Sequence, residues 1–289
     1  MKSTRDQSVV LLGGAGQLAR ELAPAFGKRG WTVHAVSHVD CDITDGPAVQ
    51  QLFERLRPQL AVNCAAFTHV DRAESEPKRA FAINATGAGN VARAAALLDV
   101  GLVHISSDYV FDGAKGQPYS ESDRTAPMGV YARSKHAGEQ EVRAAGARCH
   151  VVRTGELYGD GGQNFFHAIL GRARKGLPLR VIDDQVVTPT WTRELAEQLL
   201  LIVERAPVGL YHATAAGETN WFEAARAALE LAHLEVPIAP VSTADYGSPT
   251  PRPLYSVLAH DALNRLGLYQ MRPWREALAQ WLSHDNVAA

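Results

Sequence analysis

The chain has 289 residues, 46% of them apolar and 21% charged, with a formal net charge of −2. That is ample material for a buried core in one large domain or two intimate ones. The near-balanced charge excludes a general binder of nucleic acid or membrane surface. Cys41, Cys64 and Cys149 are scattered and form no C-x-x-C or Cys/His cluster. Neither a disulfide nor a metal site is therefore expected, and a reducing, cytoplasmic setting fits. The opening MKSTRDQS runs straight into VVLLGGAG, a stretch too short and glycine-broken for a signal peptide or membrane helix.

In chain order, short β-branched runs predict strands at Val9–Leu12, Thr32–Val36, Leu60–Asn63, Leu102–Ser106 and His150–Arg153. Amphipathic, Ala-rich segments predict helices between them at Gln17–Lys28, Ala48–Leu56, Glu76–Leu98 and Val130–Ala145. This alternation implies βαβ units in an α/β fold: a Rossmann-type doubly wound parallel sheet with helices on both faces. Further on, Gly209–Ala213 reads as one more strand, and Arg193–Glu204, Trp221–Leu231 and Trp274–Leu282 read as helices. The expected organisation is a dinucleotide-binding domain from residues 1–154 with 190–215, and a smaller, interwoven α/β lobe from 155–189 and 216–289. Trp191, Trp221, Trp274 and Trp281 are expected to pack that lobe.

Gly13, Gly16 and Ala19 satisfy G-x-x-G-x-x-G/A between the first strand and the first helix. Gly13 permits the tight turn, Gly16 lets backbone N–H groups approach a pyrophosphate, and Ala19 keeps helix and strand close. Gln17 and Leu18 open the helix and join the expected cofactor contacts. An acidic residue about 20 positions on would accept the adenosine ribose 2′-OH of NAD. Here that stretch reads Val36-Ser37-His38-Val39, with no carboxylate before Asp40. Ser37 and His38 could instead hydrogen-bond a 2′-phosphate, so NADPH is the expected cofactor, with NADH as the alternative.

Tyr131 and Lys135 form Y-x-x-x-K within a predicted helix, so both side chains lie on one face. Ser107 ends the strand Leu102–Ser106, at the sheet's carboxyl edge. Together they make a proton-transfer site for carbonyl chemistry. A phenol with a pKa near about 10 is a poor acid–base group until a neighbouring ammonium lowers it.

The run of GGAGQLA, VNCAAFTHVDRAESEP, INATGAGNVARAA, ISSDYVFDG, YARSKHAGE and VVRTGELYG resembles the extended short-chain dehydrogenase/reductases, and within them the dTDP-4-dehydrorhamnose reductase family. DDQVVTPT, GLYHATAAGETNW and RPLYSVL continue the resemblance over nearly the whole chain. It implies NADPH-dependent reduction of the 4-keto group of a nucleotide-linked 6-deoxysugar. Ser107, Tyr131 and Lys135 would be catalytic, with Tyr131 and Lys135 also touching the cofactor. Asp42 and Ile43 would lie beside the adenine, and Asn63, Ala65 and Ala66 would follow the cofactor across the strand ends. Thr68, Val70, Asp108 and Tyr109 would border the sugar, with Arg153 and Thr154 nearby. Asn164, Gln185, Pro189 and Arg252 would serve the nucleotide-sugar lobe.

From the residues alone, Asn63 equally suits a cap on a strand turn, Asp71 and Glu74 suit a helix N-terminus, and Arg252 suits a solvated loop. Two positions depart from the rhamnose branch: Glu156 stands where it usually carries Trp, and Val187 where it usually carries Gly. Glu156 follows a strand at the carboxyl edge and is expected to face the sugar, accepting a hydroxyl or pairing with a cation such as Arg153. A 4-ketoreductase for another deoxysugar of a secondary-metabolite pathway, or a non-catalytic NADP-binding regulatory subunit, are the competing readings. Expected partners are the nucleotide-sugar and, at most, a second copy in a homodimer.

Overall fold

Val9 to Leu12 are each 0% exposed, so the first strand is covered on both faces. The computed structural model, which describes residues 7–284, accounts for this with a six-stranded sheet. Its strands are β1 (Ser8–Leu12), β2 (Thr32–Val36), β3 (Leu60–Asn63), β4 (Gly101–Ser107), β5 (Cys149–Thr154) and a last strand, Gly209–His212. The spatial order is Gly209–His212, β5, β4, β3, β1, β2, and every pairing is parallel. From β1 the chain steps to β2 on one side and β3 on the other. The carboxyl ends on either side of that reversal form the crevice where ligands bind in open α/β sheets.

Side chains alternate between two cores. On one face Val9 and Leu11 pack with Leu22 and Phe26 of the helix Gln17–Lys28 and with Leu195 and Leu199 of the helix Thr192–Arg205. On the other, Val10 and Leu12 pack with Val49 and Phe53 of Gly46–Leu56 and with Val91 of Ala88–Leu97. Beyond β5 three short strand pairs surround a further core: Leu157–Tyr158 with Thr190–Trp191, Leu179–Ile182 with Ile238–Val241, and Val186–Val187 with Thr219–Asn220. Its centre is aromatic. Trp281 and Trp191 are almost wholly buried, and Tyr158 meets Phe166 and Trp281 edge-on at 4.8 and 5.3 Å. Trp221 and Trp274 pack at its margin. Among the described residues no helix is long and apolar enough to cross a membrane.

The single helix expected over Glu76–Leu98 is in fact broken. Val70–Ser75 ends before Pro77, a new helix runs over Pro77–Phe81, a π-helical turn spans Ala82–Gly87, and an α-helix resumes over Ala88–Leu97. Pro77 explains the first break, because it has no N–H to continue a helix yet suits a first turn. Asn84, 2% exposed, occupies the wide turn. Its Nδ2 donates to the Phe67 carbonyl at 3.1 Å and to Ser134 Oγ at 2.9 Å, while its Oδ1 accepts from the Phe67 amide at 2.8 Å. The Asn84 carbonyl faces Gly138 of the helix Gly129–Ala144, where an added Cβ would meet it at 2.1 Å. That helix therefore seats closely only because residue 138 has no side chain. Gly138→Ala should destabilise the fold by about 1–3 kcal/mol through overpacking, visible as a melting temperature lower by roughly 3–10 °C; an unchanged melting curve would contradict the close approach.

Candidate active site

The turn after β1 is built against two neighbouring strands. Gly13 has φ +75°, and a Cβ there would lie 2.7 Å from the Ala65 amide nitrogen just after β3. Gly14 would meet Val36 at the end of β2 at 2.6 Å, and its N–H donates to the Val36 carbonyl at 2.8 Å. Gly16 caps the helix Gln17–Lys28 without a side-chain acceptor, and the first turn carries no acidic residue. The amides of Gln17 and Leu18 are thus presented at a positive helix end that lacks a side-chain cap and a first-turn carboxylate. Such a cradle fits a dinucleotide diphosphate.

At the end of β2 the structure shows where Asp40 points. Asp40 turns back, and its Oδ2 accepts from the Ser37 amide at 3.0 Å and the Ser37 hydroxyl at 2.6 Å. Those two bonds hold the Asp40 carboxyl below the ordinary carboxylate range. A carboxylate therefore does stand at this edge, delivered by a turn that a search of the strand itself overlooks. Ser37 is engaged with it, and His38 lies in the same turn. Asp42 accepts from the Thr44 amide and hydroxyl at 2.9 and 2.8 Å, while Ile43 is buried against Gly87 of the π-helical turn. Asn63 caps the turn after β3, accepting from the Ala65 amide at 3.2 Å. Ala66 and the exposed Thr68 continue that loop, and Val70 opens the next helix.

The catalytic candidates meet at the carboxyl end of β4. Ser107 is the last residue of β4, while Tyr131 and Lys135 lie on the helix Gly129–Ala144. Glu74 caps that helix from outside, accepting from the Val130 amide at 2.6 Å. Its carboxylate favours the positive helix end. Burial pushes the Tyr131 phenol up to about 12, with the Ser107 hydroxyl pulling down and the Asp108 and Glu156 carboxylates pushing further up. Lys135 Nζ donates to the Ile105 carbonyl at 2.6 Å, and burial lowers its pKa to about 8 against the pull of Glu139 and Cys64. The phenol is therefore a proton-loaded acid at neutral pH, not the lowered one expected from an adjacent lysine.

Beyond the phenol lies a cluster of acids. The Ser107 hydroxyl donates to Asp108 Oδ1 at 3.0 Å, and burial raises the Asp108 pKa. Gly155 permits this packing, since a Cβ there would lie 2.5 Å from the Asp108 carboxylate. Glu156 holds a left-handed φ of 50° just past β5, and its carbonyl accepts from the Thr190 amide at 3.1 Å. Burial and the Asp108 charge raise its carboxyl, opposed by Arg252 and a hydrogen bond with Tyr109. Tyr109 meets the Tyr131 ring edge-on at 5.8 Å. Glu156 thus shares one space with Asp108, Tyr109 and Tyr131.

The cation facing Glu156 is Arg252. Arg153 is instead 2% exposed and bound to Glu139, away from the edge. Arg252 Nη2 donates to both Asp71 oxygens at 2.9 Å, and its Nη1 donates to Ser248. Two other lobe residues spend their amides on the fold. Asn164 caps the helix Phe165–Ala173 and reaches the Gly159 carbonyl, while Gln185, 2% exposed, donates to Thr243 Oγ1 at 2.9 Å. Sequence reasoning missed Gly155 and Glu139. Only Glu139 had a signal, as a second polar residue four positions after Lys135 on the same helical face.

The chain is 39% identical over 280 residues to the spore coat polysaccharide biosynthesis protein SpsK of Bacillus subtilis, covering 97% of this chain and 98% of that one. It is 41% identical over 287 residues to dTDP-4-dehydrorhamnose reductase of Mycolicibacterium smegmatis, covering 98% and 86%. A crystal structure of dTDP-4-dehydrorhamnose reductase from Bacillus anthracis in complex with NADP superposes with a TM-score of 0.95 at 35% identity, covering 97% of this chain and 100% of that one. The RmlD substrate binding domain model matches residues 7–287. With glycine turn, Ser-Tyr-Lys edge and lobe all inside that match, the chain belongs to the RmlD substrate-binding domain family.

Proposed function

We propose that the chain is an NADPH-dependent reductase of the 4-keto group of a dTDP-4-keto-6-deoxysugar, acting in deoxysugar biosynthesis. The observation that carries this reading is the buried placement of the Tyr131 phenol beside the Ser107 hydroxyl, two strands from a glycine turn that fits a diphosphate. Gly13, Gly16, Gln17 and Leu18 would hold the cofactor diphosphate, with Ser37, His38, Asp42, Ile43, Asn63, Ala65 and Ala66 along its adenosine side. When bound, NADPH supplies the hydride. Ser107 would polarise and orient the ketone oxygen, and Tyr131 would deliver its phenolic proton to the alkoxide as charge develops. Lys135, as an ammonium one turn away, would stabilise the phenolate left behind. Thr68, Val70, Asp108, Tyr109 and Glu156 would border the sugar, and residues 155–189 and 216–289, including Asn164, Gln185 and Arg252, would form the lobe that holds its nucleotide. The same reading takes the setting to be cytoplasmic and is compatible with a homodimer.

Incubation with NADPH and a panel of nucleotide-linked keto-sugars should give stoichiometric loss of nicotinamide absorbance with at least one. No turnover on any dTDP-4-keto-6-deoxysugar would reject the reading in favour of a binding subunit. Tyr131→Phe should lower kcat by at least about a hundredfold while NADPH affinity stays within a few-fold. A variant keeping a tenth of wild-type kcat would remove Tyr131 from the acid role.

NADPH should give a higher kcat/KM than NADH despite Asp40, whose carboxylate is exposed to solvent and engaged by Ser37. Asp40→Ala removes a negative charge from the 2′-phosphate edge and frees the Ser37 amide and hydroxyl, so the NADPH/NADH ratio should widen by roughly three- to tenfold. An unchanged ratio would place the 2′-phosphate elsewhere.

Glu156 favours a second reading of the sugar. A carboxyl group beside Tyr109 and Asp108 suits a substrate hydroxyl, and a site built for a hydroxyl discriminates against a sugar that lacks it there. A tryptophan would offer a broad apolar face instead. Glu156→Trp should therefore raise activity on dTDP-4-keto-L-rhamnose relative to the preferred sugar from the panel; equal ratios for both proteins would mean that Glu156 does not read the sugar.

A further inference from the structure

Glu139 lies one turn beyond Lys135 on the same helical face and is 0% exposed. Its Oε1 accepts from Ser106 Oγ at 2.5 Å and Arg153 Nε at 2.8 Å, and its Oε2 accepts from Arg153 Nη2 at 2.8 Å. Arg143 approaches the same Oε2 from the solvent side at 3.6 Å. Arg153 lies over the Phe111 ring at 5.2 Å and beside His212 Nε2 at 3.4 Å. The bidentate pair therefore joins the helix to β4 and β5 directly beneath Ser107, Tyr131 and Lys135, and touches no space open to substrate. We propose that Glu139 and Arg153 form a positioning device for the reductase site: the pair clamps the catalytic helix to the sheet and sets a buried negative charge one helical turn from Lys135.

The neighbours of Lys135 leave this task to Glu139. On its own helix stand Tyr131 and Glu139; Cys64 follows β3; His104 and Ser107 come from β4. Burial pushes the Cys64 thiol up to about 12 and the His104 imidazole down to about 3, so both are neutral over the range where Lys135 titrates. Tyr131, at about 12, is neutral there too. Glu139 is the carboxylate of this set and exerts the larger pull on the Lys135 charge, ahead of Cys64. Burial alone would raise its carboxyl and neutralise it, but Arg153, Ser106 and Arg143 together hold it below the ordinary carboxylate range. Arg153 in turn meets a neutral His212, lowered to about 3 by burial, and His136, which burial also lowers, faces the same pair. In a desolvated site that charge is screened little, so its influence on Lys135 is large. A helix clamp alone would need only shape and hydrogen bonds; the ionised pair adds the field.

The test separates field from scaffold. Glu139→Gln alone strands a buried guanidinium and invites unfolding, so the informative protein is the double variant Glu139→Gln/Arg153→Met. The amide keeps a partner for Ser106, and the thioether keeps an aromatic contact with Phe111. Lys135 is followed by side-chain NMR titration, its Cε resonance assigned by its loss in Lys135→Met, alongside the pH dependence of kcat and KM. The expected result is a cooperatively melting protein in which the Lys135 midpoint and the alkaline limb of kcat both fall by about one pH unit. KM should change less than twofold. A folded double variant with the wild-type Lys135 midpoint would overturn the proposal and leave the pair purely structural. The inference rests on the reductase reading for its kinetic arm only. A midpoint that moves in a protein reducing no keto-sugar would count against that reading and uphold the electrostatic role.

Discussion

The helix Gly129–Ala144 must lie close enough to β4 for a phenol and an ammonium to share the edge that Ser107 ends, and everything else at the site depends on that approach. A bare Gly138 against the Asn84 carbonyl makes it sterically possible. The Glu139–Arg153 pair and the Lys135 bond to Ile105 then fix the helix against the sheet. Glu74 holds its first turn from the neighbouring helix. These contacts are buried or part-buried and most involve a charge, so a small displacement would leave polar groups without partners.

The second organising feature is the concentration of carboxyl groups around a phenol that must give up a proton. Burial above all keeps Tyr131 protonated, which suits the reducing direction, where the acid has to be loaded before hydride arrives. Arg252, anchored by Asp71, is the counter-charge on the far side. The lobe thus contributes electrostatics as well as walls. Its own fold is carried by a tight aromatic centre of Tyr158, Phe166 and Trp281, which explains why short two-residue strands suffice there.

Local pattern made much of the Rossmann part legible. Strands show as short apolar or β-branched runs and helices as amphipathic ones, and the ranges Thr32–Val36, Leu60–Asn63 and Gln17–Lys28 read from such patterns coincide with the structure. The broken segment over residues 70–97 was not legible. Proline marks one break, but a π-helical turn arises from what Asn84 bonds across the fold, which no periodicity records. The parallel pairing of Leu179–Ile182 with Ile238–Val241 was hidden for the same reason: its two strands are far apart in sequence and each is only four residues long.

The sequence by itself determined the glycine turn, the order of strands and helices, and the spacing that puts Tyr131 and Lys135 on one face. Each of these is set by backbone sterics or helical period within a few residues. Tertiary structure alone decided which charge meets which. Arg153 pairs inward with Glu139 and not with Glu156, because β5 turns its side chain under the catalytic helix before the chain reaches the edge. Asp40 meets Ser37 through a turn, and Arg252 meets Asp71 across 181 positions. Pairing of charges depends on distance in space and on shared burial, and neither quantity is written along the chain.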